Sequence, residues 1–176
     1  LPEPAGLDVV SEPKVQAAIN PKGALLIPSF AVERAQELIS DLTRLIAEGA
    51  LPSIPIYVDS PLASKATRVF ARHANDLEDG TVLMSGLKSN EIHFTETKEE
   101  SIALDDARGF HIVIAASGMC EAGRIRHRLK NWLWRDEATV LLVGYQAEGT
   151  LGRILQGGAK SVRIQGEEFA VRARIR

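Results

Sequence analysis

The chain has 176 residues, 45% of them hydrophobic, and a formal charge of −2 at pH 7. That composition suits one globular domain with a real core, and no run approaches the ~20 apolar residues of a membrane span. A single cysteine, Cys120, excludes an internal disulfide and a thiolate zinc cluster. It makes a reducing, cytoplasmic setting the expectation. No signal peptide is visible, and a start at Leu1 in place of Met leads us to expect a piece of a longer product. The charge is uneven: residues 1–120 carry 10 Lys and Arg against 17 Asp and Glu, and residues 121–176 carry 11 against 6. A basic C-terminal third can attract a polyanion, although a solvated surface is the plainer reading. Aromatic residues at 5% weigh against a surface that stacks many bases.

Ser11 is placed to cap a short helix through Ile19, with Pro13 tolerated in its first turn. Leu25–Pro28 reads as a buried strand. Val32, Ala35, Leu38, Ile39, Leu42, Leu45 and Ile46 then recur at helical spacing, closed by Gly49. Ile54–Val58 reads as a second strand, and Ser60 or Asp59 caps a helix with Pro61 at its first position, running to about His73. Residues 75–90 read as turns around a short apolar run, Val82-Leu83-Met84. Ile92–Thr95 is a short strand and Lys98–Ala107 a weakly patterned helix. His111–Ala116 is a strand without alternation, as expected when both faces are buried. Gly123–Trp134 is a basic helix, Ala138–Val143 a buried strand and Thr150–Gln156 a short helix. Ser161–Ile164 and Phe169–Ile175 flank Gln165-Gly166-Glu167-Glu168 as a C-terminal β-hairpin. Alternating strands and helices define an α/β fold, a mostly parallel sheet with helices on both faces in a Rossmann-like three-layer sandwich.

Four times an apolar run breaks off into a small-residue turn that opens a helix: after Ile27, Val58, Ala116 and Val143. Such junctions collect at the carboxyl edge of a parallel sheet, where open α/β sheets bind ligands. Helix N-termini there offer unpaired N–H groups and a partial positive charge.

The standard site motifs are absent. Gly157-Gly158-Ala159-Lys160-Ser161 breaks the P-loop spacing and lies at a helix end. Gly144, Gly149 and Gly152 do not form a dinucleotide fingerprint. His73, His93, His111 and His127 have no paired metal spacing. Ser117 follows a strand, but Ala115 stands where a nucleophile elbow needs glycine. Cys120 lies beside a helix N-terminus, which can lower a thiol pKa, yet an unreactive thiol is the better expectation. Trp132 and Trp134, two residues apart, cannot share a helix face, so one is read as core and the other as an interface or rim residue.

Taken together the junctions resemble those of the β-CASP domain, the cap inserted into metallo-β-lactamase-fold nucleases of RNA and DNA processing. Ile27-Pro28-Ser29-Phe30-Ala31-Val32-Glu33-Arg34-Ala35-Gln36 resembles the first family stretch, and Asp59-Ser60-Pro61-Leu62-Ala63 the second. Ala115 to His127 resembles the bacterial version of the third, and Gly144-Tyr145-Gln146-Ala147-Glu148-Gly149-Thr150-Leu151-Gly152-Arg153 the fourth. Two positions depart: Glu33 stands where the family usually has glycine, and Arg128 where bacterial members often show histidine. Arg128 is expected to add charge that helps a polyanion bind.

The resemblance implies that residues 1–176 are a single cap domain excised from a larger protein, with Leu1 and Arg176 close in space. It implies a ribonuclease or exonuclease parent whose two zinc ions drive phosphodiester hydrolysis. The chain itself is expected to hold no catalytic residue, no metal and no cofactor, and to be inactive alone. Single-stranded RNA, or DNA, would bind it together with the metallo-β-lactamase domain, without a membrane. Ser60, Ser117, Gly118, Arg124, Gly149, Thr150, Arg153 and Arg34 are the candidate phosphate contacts. A structural reading competes at each: turns for the glycines, caps for Ser60 and Thr150, and ion pairs with acids such as Glu33, Glu121 and Glu148 for the arginines. Two further readings stay open. One is a nucleotide- or phosphometabolite-binding module. The other is a homodimerisation lobe using Trp132 or Trp134 and the C-terminal hairpin.

Overall fold

The apolar runs without alternation become the interior strands of one sheet in the computed structural model, which describes residues 10–176. The strands are β1 (Ala24–Pro28), β2 (Ile56–Asp59), β3 (Ile92–Phe94), β4 (His111–Ala115), β5 (Thr139–Val140), β6 (Ser161–Ile164), β7 (Glu167–Ala170) and β8 (Arg174–Ile175). Six of them form a sheet in the order β3-β2-β4-β1-β5-β8, and β6 and β7 form a separate hairpin. Every pairing in the large sheet is parallel, with β4 held between β2 (Ile56↔Ile112) and β1 (Leu25↔Ile112). β1 and β4 are buried along their whole length.

Helix α1 (Glu12–Ala18) precedes β1; parallel neighbours need crossovers, and helices α2 (Arg34–Ala47), α3 (Pro61–Arg72), α4 (Gly80–Leu87), α5 (Lys98–Ala103), α6 (Arg124–Trp132) and α7 (Leu151–Gln156) fill that role. Successive side chains of a strand point to opposite faces, and β1 separates two cores accordingly. Leu25 and Ile27 pack with Leu38, Ile39 and Leu42 of α2, Ala63 of α3 and Leu83 of α4. Ala24 and Leu26 pack on the other face with Ile125 and Leu129 of α6 and Leu151 and Leu155 of α7. The expected three-layer α/β arrangement with a C-terminal hairpin is therefore present. The helix after β1 lies on one face and the helix after β4 on the other, so these adjacent strands part at a switch point.

Three sequence expectations change. Residues 80–87, read as turns, are helical in α4. Their glycines hid this: a Cβ on Gly86 would overlap the Thr43 side chain of α2, and one on Gly80 would overlap the Ala74 backbone. The segment 169–175, read as one hairpin strand, is split. β7 pairs antiparallel with β6, whereas β8 joins the large sheet beside β5. The long strand expected over 138–143 narrows to β5, continued by Leu141 N–H to Leu26 O and Leu142 N–H to Arg176 O. Leu1 lies outside the described residues, and with it the expected closeness of the two ends. Among the described residues no helix is long and apolar enough to cross a membrane.

Candidate functional site

The strand ends β2, β4, β1 and β5 stand side by side, so the four junction loops line one edge. In the first, Ser29 N–H donates to Ala115 O (2.9 Å) and its buried hydroxyl to Phe30 O (2.9 Å). Arg34 N–H then reaches Val32 O (2.9 Å) across Glu33, whose φ is +69° and ψ −67°. That is a three-residue γ-turn of the rare, positive-φ kind. The glycine that the family resemblance places here would adopt it freely; glutamate is strained.

The second junction ends in Asp59, which is completely buried. A lone buried carboxylate is costly unless it is paired and hydrogen-bonded, and Asp59 is both. It accepts from Thr95 Oγ1 (2.6 Å), Ser101 Oγ (3.0 Å) and Arg124 Nη1 (3.0 Å), and Arg128 Nε lies 3.3 Å away. Arg124 also donates to Thr95 O (2.9 Å) and Glu96 O (3.0 Å). Arg128 donates to Asp105 Oδ1 (2.8 Å) and Ser101 O (2.7 Å), and Asp105 accepts from Asn131 (2.6 Å) and meets His127 at 3.0 Å. Arg128 is 1% exposed. The expectation that it adds charge for a polyanion is therefore corrected: its charge is spent inside, on Asp59 and Asp105.

The third and fourth junctions are clamped together. Ser117 accepts Ala122 N–H on its hydroxyl (3.2 Å) and donates its own N–H to Ala122 O (2.9 Å), closing the loop before α6. Buried Gln146 donates to Gly118 O (3.0 Å) and Gly144 O (3.1 Å). Its amide fills the space beside Gly152, where a Cβ would overlap it. Gly152 N–H donates to Met119 O (3.0 Å), and Leu151 N–H to the Glu121 carboxylate (2.5 Å). On the other side, a Cβ on Gly118 would sit 3.0 Å from the Phe30 ring. Phe30 thus flanks the Gly118 loop, 51% exposed, and Tyr145, next to Gln146 in the chain, is 74% exposed.

Most helix N-terminal donors at this edge are already engaged. Ala63 N–H goes to Ser60 Oγ (3.2 Å), Arg153 N–H to Thr150 Oγ1 (3.3 Å), Ile125 N–H to Ala116 O (3.0 Å) and Leu151 N–H to Glu121. Ser60 and Gly118 are buried, and Ser117, Thr150 and Arg124 are partly so. Gly149 is exposed with φ +81° and open space around it. Arg153 is exposed, bonding Gln156 (3.2 Å), and Arg34 is ion-paired with Glu37 (2.7 Å). Sequence reasoning took Asp59 at most for a helix cap and gave no role to Thr95, Ser101, Asp105 or Gln146. The hydrogen-bond partners of Asp59 lie 36 to 65 positions away along the chain, which no spacing motif reports.

Two further groups are inert by burial. The Cys120 thiol is pushed up to about 12, chiefly by desolvation and then by Glu121. His111 is pushed below the usual histidine range by burial first, with Arg128 adding to it, while Nδ1 hydrogen-bonds Gly109 O (2.9 Å). Among the described residues no group of three or more His, Cys, Asp or Glu converges to hold a metal.

A parallel three-layer α/β sheet with four interlocked loops along its carboxyl edge defines an open-sheet α/β domain, the class that binds ligands at that edge. The chain belongs to the Beta-Casp domain family, which matches residues 35–155. It is 36% identical to Ribonuclease TTHA0252 of Thermus thermophilus over 92% of this chain and 38% of that protein. It is 33% identical to an RNase J-like protein of Methanocaldococcus jannaschii, again over 92% and 38%. Cleavage and polyadenylation specificity factor subunit 3 of Dictyostelium discoideum is 33% identical over 85% of this chain and 20% of its own length. The chain thus spans well under half of these relatives.

Proposed function

We propose that this chain is the substrate-binding cap of a metallo-β-lactamase-superfamily nuclease acting on single-stranded RNA. The observation that carries the reading is the Beta-Casp match, which spans the second, third and fourth of the four interlocked loops at one sheet edge and begins just after the first. Two zinc ions would supply the hydrolytic water from outside this chain; the cap would hold and orient the strand. Arg153 and the backbone at Gly149 are the exposed candidates for phosphates, Arg34 is half-buried and paired with Glu37, and Phe30 and Tyr145 offer faces on which bases stack. Ser60, Ser117, Gly118, Thr150 and Arg124 act in this reading by holding the loops in place. Their hydroxyl, carbonyl and guanidinium groups are bonded internally. Relatives come from bacteria, archaea and eukaryotes, and the third junction favours the bacterial type.

The test is fluorescence anisotropy of the chain with a labelled single-stranded oligoribonucleotide, alongside a cleavage assay with added zinc. Salt-sensitive binding and no cleavage are expected. Zinc-dependent cutting by the chain alone would overturn the division of labour. Tight saturable binding of a mononucleotide would favour the phosphometabolite module instead.

A further inference from the structure

On the flank of the sheet, between α1 and the last strand β8, lies a groove of about 210 Å³. Ala17 and Ala18 of α1 and Thr139 of β5 line it together with Lys14, Arg174 and Arg176. Strand alternation builds it. Ala173 and Ile175 pack into the core beneath α6 and α7, so Arg174 and Arg176 turn to the α1 face, ~6.6 Å apart along the strand. Ala138 and Val140 pack into the same core and turn Thr139 to that face as well. Arg174 Nη1 donates to Ala17 O (3.2 Å), which holds its guanidinium across the groove.

Every charged residue lining this groove is a cation. Glu12 precedes Pro13 in α1 but is not part of the lining. A concavity at the amino-terminal edge of the sheet is different: there Lys22, Arg135 and Arg172 stand beside Asp136 and Glu137. Cations of one sign gathered in a concave surface raise the local concentration of anions. The groove has no aromatic lining residue, so it offers charge to a backbone and no face to a base. Guanidinium groups suit phosphate, and the spacing of Arg174 and Arg176 is close to that of successive phosphates in an extended single strand.

The groove also continues the carboxyl edge. Arg176 O accepts Leu142 N–H (2.8 Å), and Leu142 stands two residues before Gly144, where the fourth junction opens. A polyanion leaving that edge past the fourth junction meets Arg176 first and Arg174 next. This continuity favours nucleic acid over an acidic peptide.

We propose that the groove between α1 and β8 is a second phosphate-backbone site. It holds the stretch of single-stranded RNA that runs beyond the carboxyl edge, with Arg174 and Arg176 on neighbouring phosphates and Lys14 adding charge. No base is read there. The inference rests on the RNA reading of the carboxyl edge.

Fluorescence anisotropy of the chain with a short oligoribonucleotide, and with one several times longer, over a range of salt tests it. The longer RNA should show the steeper fall of log affinity with log salt. Replacing both arginines, Arg174→Gln with Arg176→Gln, should reduce that slope by about 1.4, two contacts at ~0.7 each, and leave the short RNA unaffected. Arg174→Lys with Arg176→Lys keeps the charge and should keep the slope, which a merely structural role for the Arg174–Ala17 hydrogen bond would not do. Lys14 is exposed, and Lys14→Gln should reduce the slope by about 0.7 even if the arginine variant fails to fold. An unchanged slope in the glutamine variants overturns the proposal; Arg153→Gln then shows separately whether the carboxyl edge binds RNA. Equal losses for short and long RNA also overturn it. Polyglutamate that binds more tightly than the long RNA, and is lost in the same variants, overturns it in favour of an acidic protein partner. Failure of both RNAs to bind overturns the RNA reading and this proposal together.

Discussion

Asp59 and Arg128 meet at 3.3 Å with side-chain exposures of 0% and 1%, at the point where β2 ends and α6 passes. Arg124 completes the group at 3.0 Å. Burying these charges is tolerable only because each is paired and hydrogen-bonded. The cluster ties the ends of β2 and β3 to α5 and α6, and so fixes the loop from Ser117 to Gly123 against its neighbours.

Removing Asp59 would leave two guanidinium groups without their carboxylate. Asp59→Ala should therefore cost about 3–5 kcal/mol, the usual loss when one partner of a buried pair is deleted. Urea denaturation followed by circular dichroism reads this directly. A loss no larger than that of an exposed pair such as Arg44–Glu48, typically below ~1 kcal/mol, would show that the cluster does not hold the edge.

Glu33 sits in a γ-turn at φ +69° with its side chain exposed. Glu33→Gly relieves that strain and should stabilise the fold by about 1 kcal/mol, net of the extra freedom glycine gives the unfolded chain. Thermal melting checks it; a lower melting temperature would show that the side chain earns its place through a contact.

His111 is kept neutral by burial, and Arg128 disfavours its protonation further. Its folded pKa lies below the ordinary value of 6.5. The stability it contributes is then complete above that ordinary value and is lost as pH falls through the folded pKa. His111→Gln should flatten the fall in denaturation midpoint on the acid side of pH ~6.5 relative to the parent chain. Curves that stay parallel would place the acid sensitivity elsewhere.

Arg124 and Arg153 were equal candidates in the sequence and differ in the structure. Arg153→Gln should reduce the slope of log affinity against log salt for single-stranded RNA by about 0.7, the effect of one lost phosphate contact. Arg124→Gln should leave that slope unchanged and lower stability. The reverse pattern would return Arg124 to the phosphate and make Arg153 a bystander.

The strands and long helices were legible because burial leaves a mark on composition. Leu25–Pro28 and His111–Ala116 lack alternation, and the apolar stripe of α2 recurs at helical spacing. Helix α4 was not legible because part of its packing is the close approach of glycine backbone, which leaves no apolar side chain to count. β8 was not legible because a two-residue strand has no period. The edge itself was read from its turns, yet its chemistry was half hidden. The sequence offers Ser60 and Thr150 as caps of the helices that begin there, and both do cap them, but it does not show that Glu121 satisfies the Leu151 N–H. Glu121 lies 30 positions from the Leu151 N–H it accepts, and only the folded sheet brings them together.

In the proposed function the carboxyl edge of the sheet carries the RNA strand. The most direct measurement is the amide NMR spectrum of the isotope-labelled chain, titrated with a single-stranded oligoribonucleotide. Shifts should concentrate at residues 29–34, 60–63, 117–123 and 144–153. Shifts confined to Lys22 and residues 134–137 at the amino edge, or none at saturating RNA, would contradict the account.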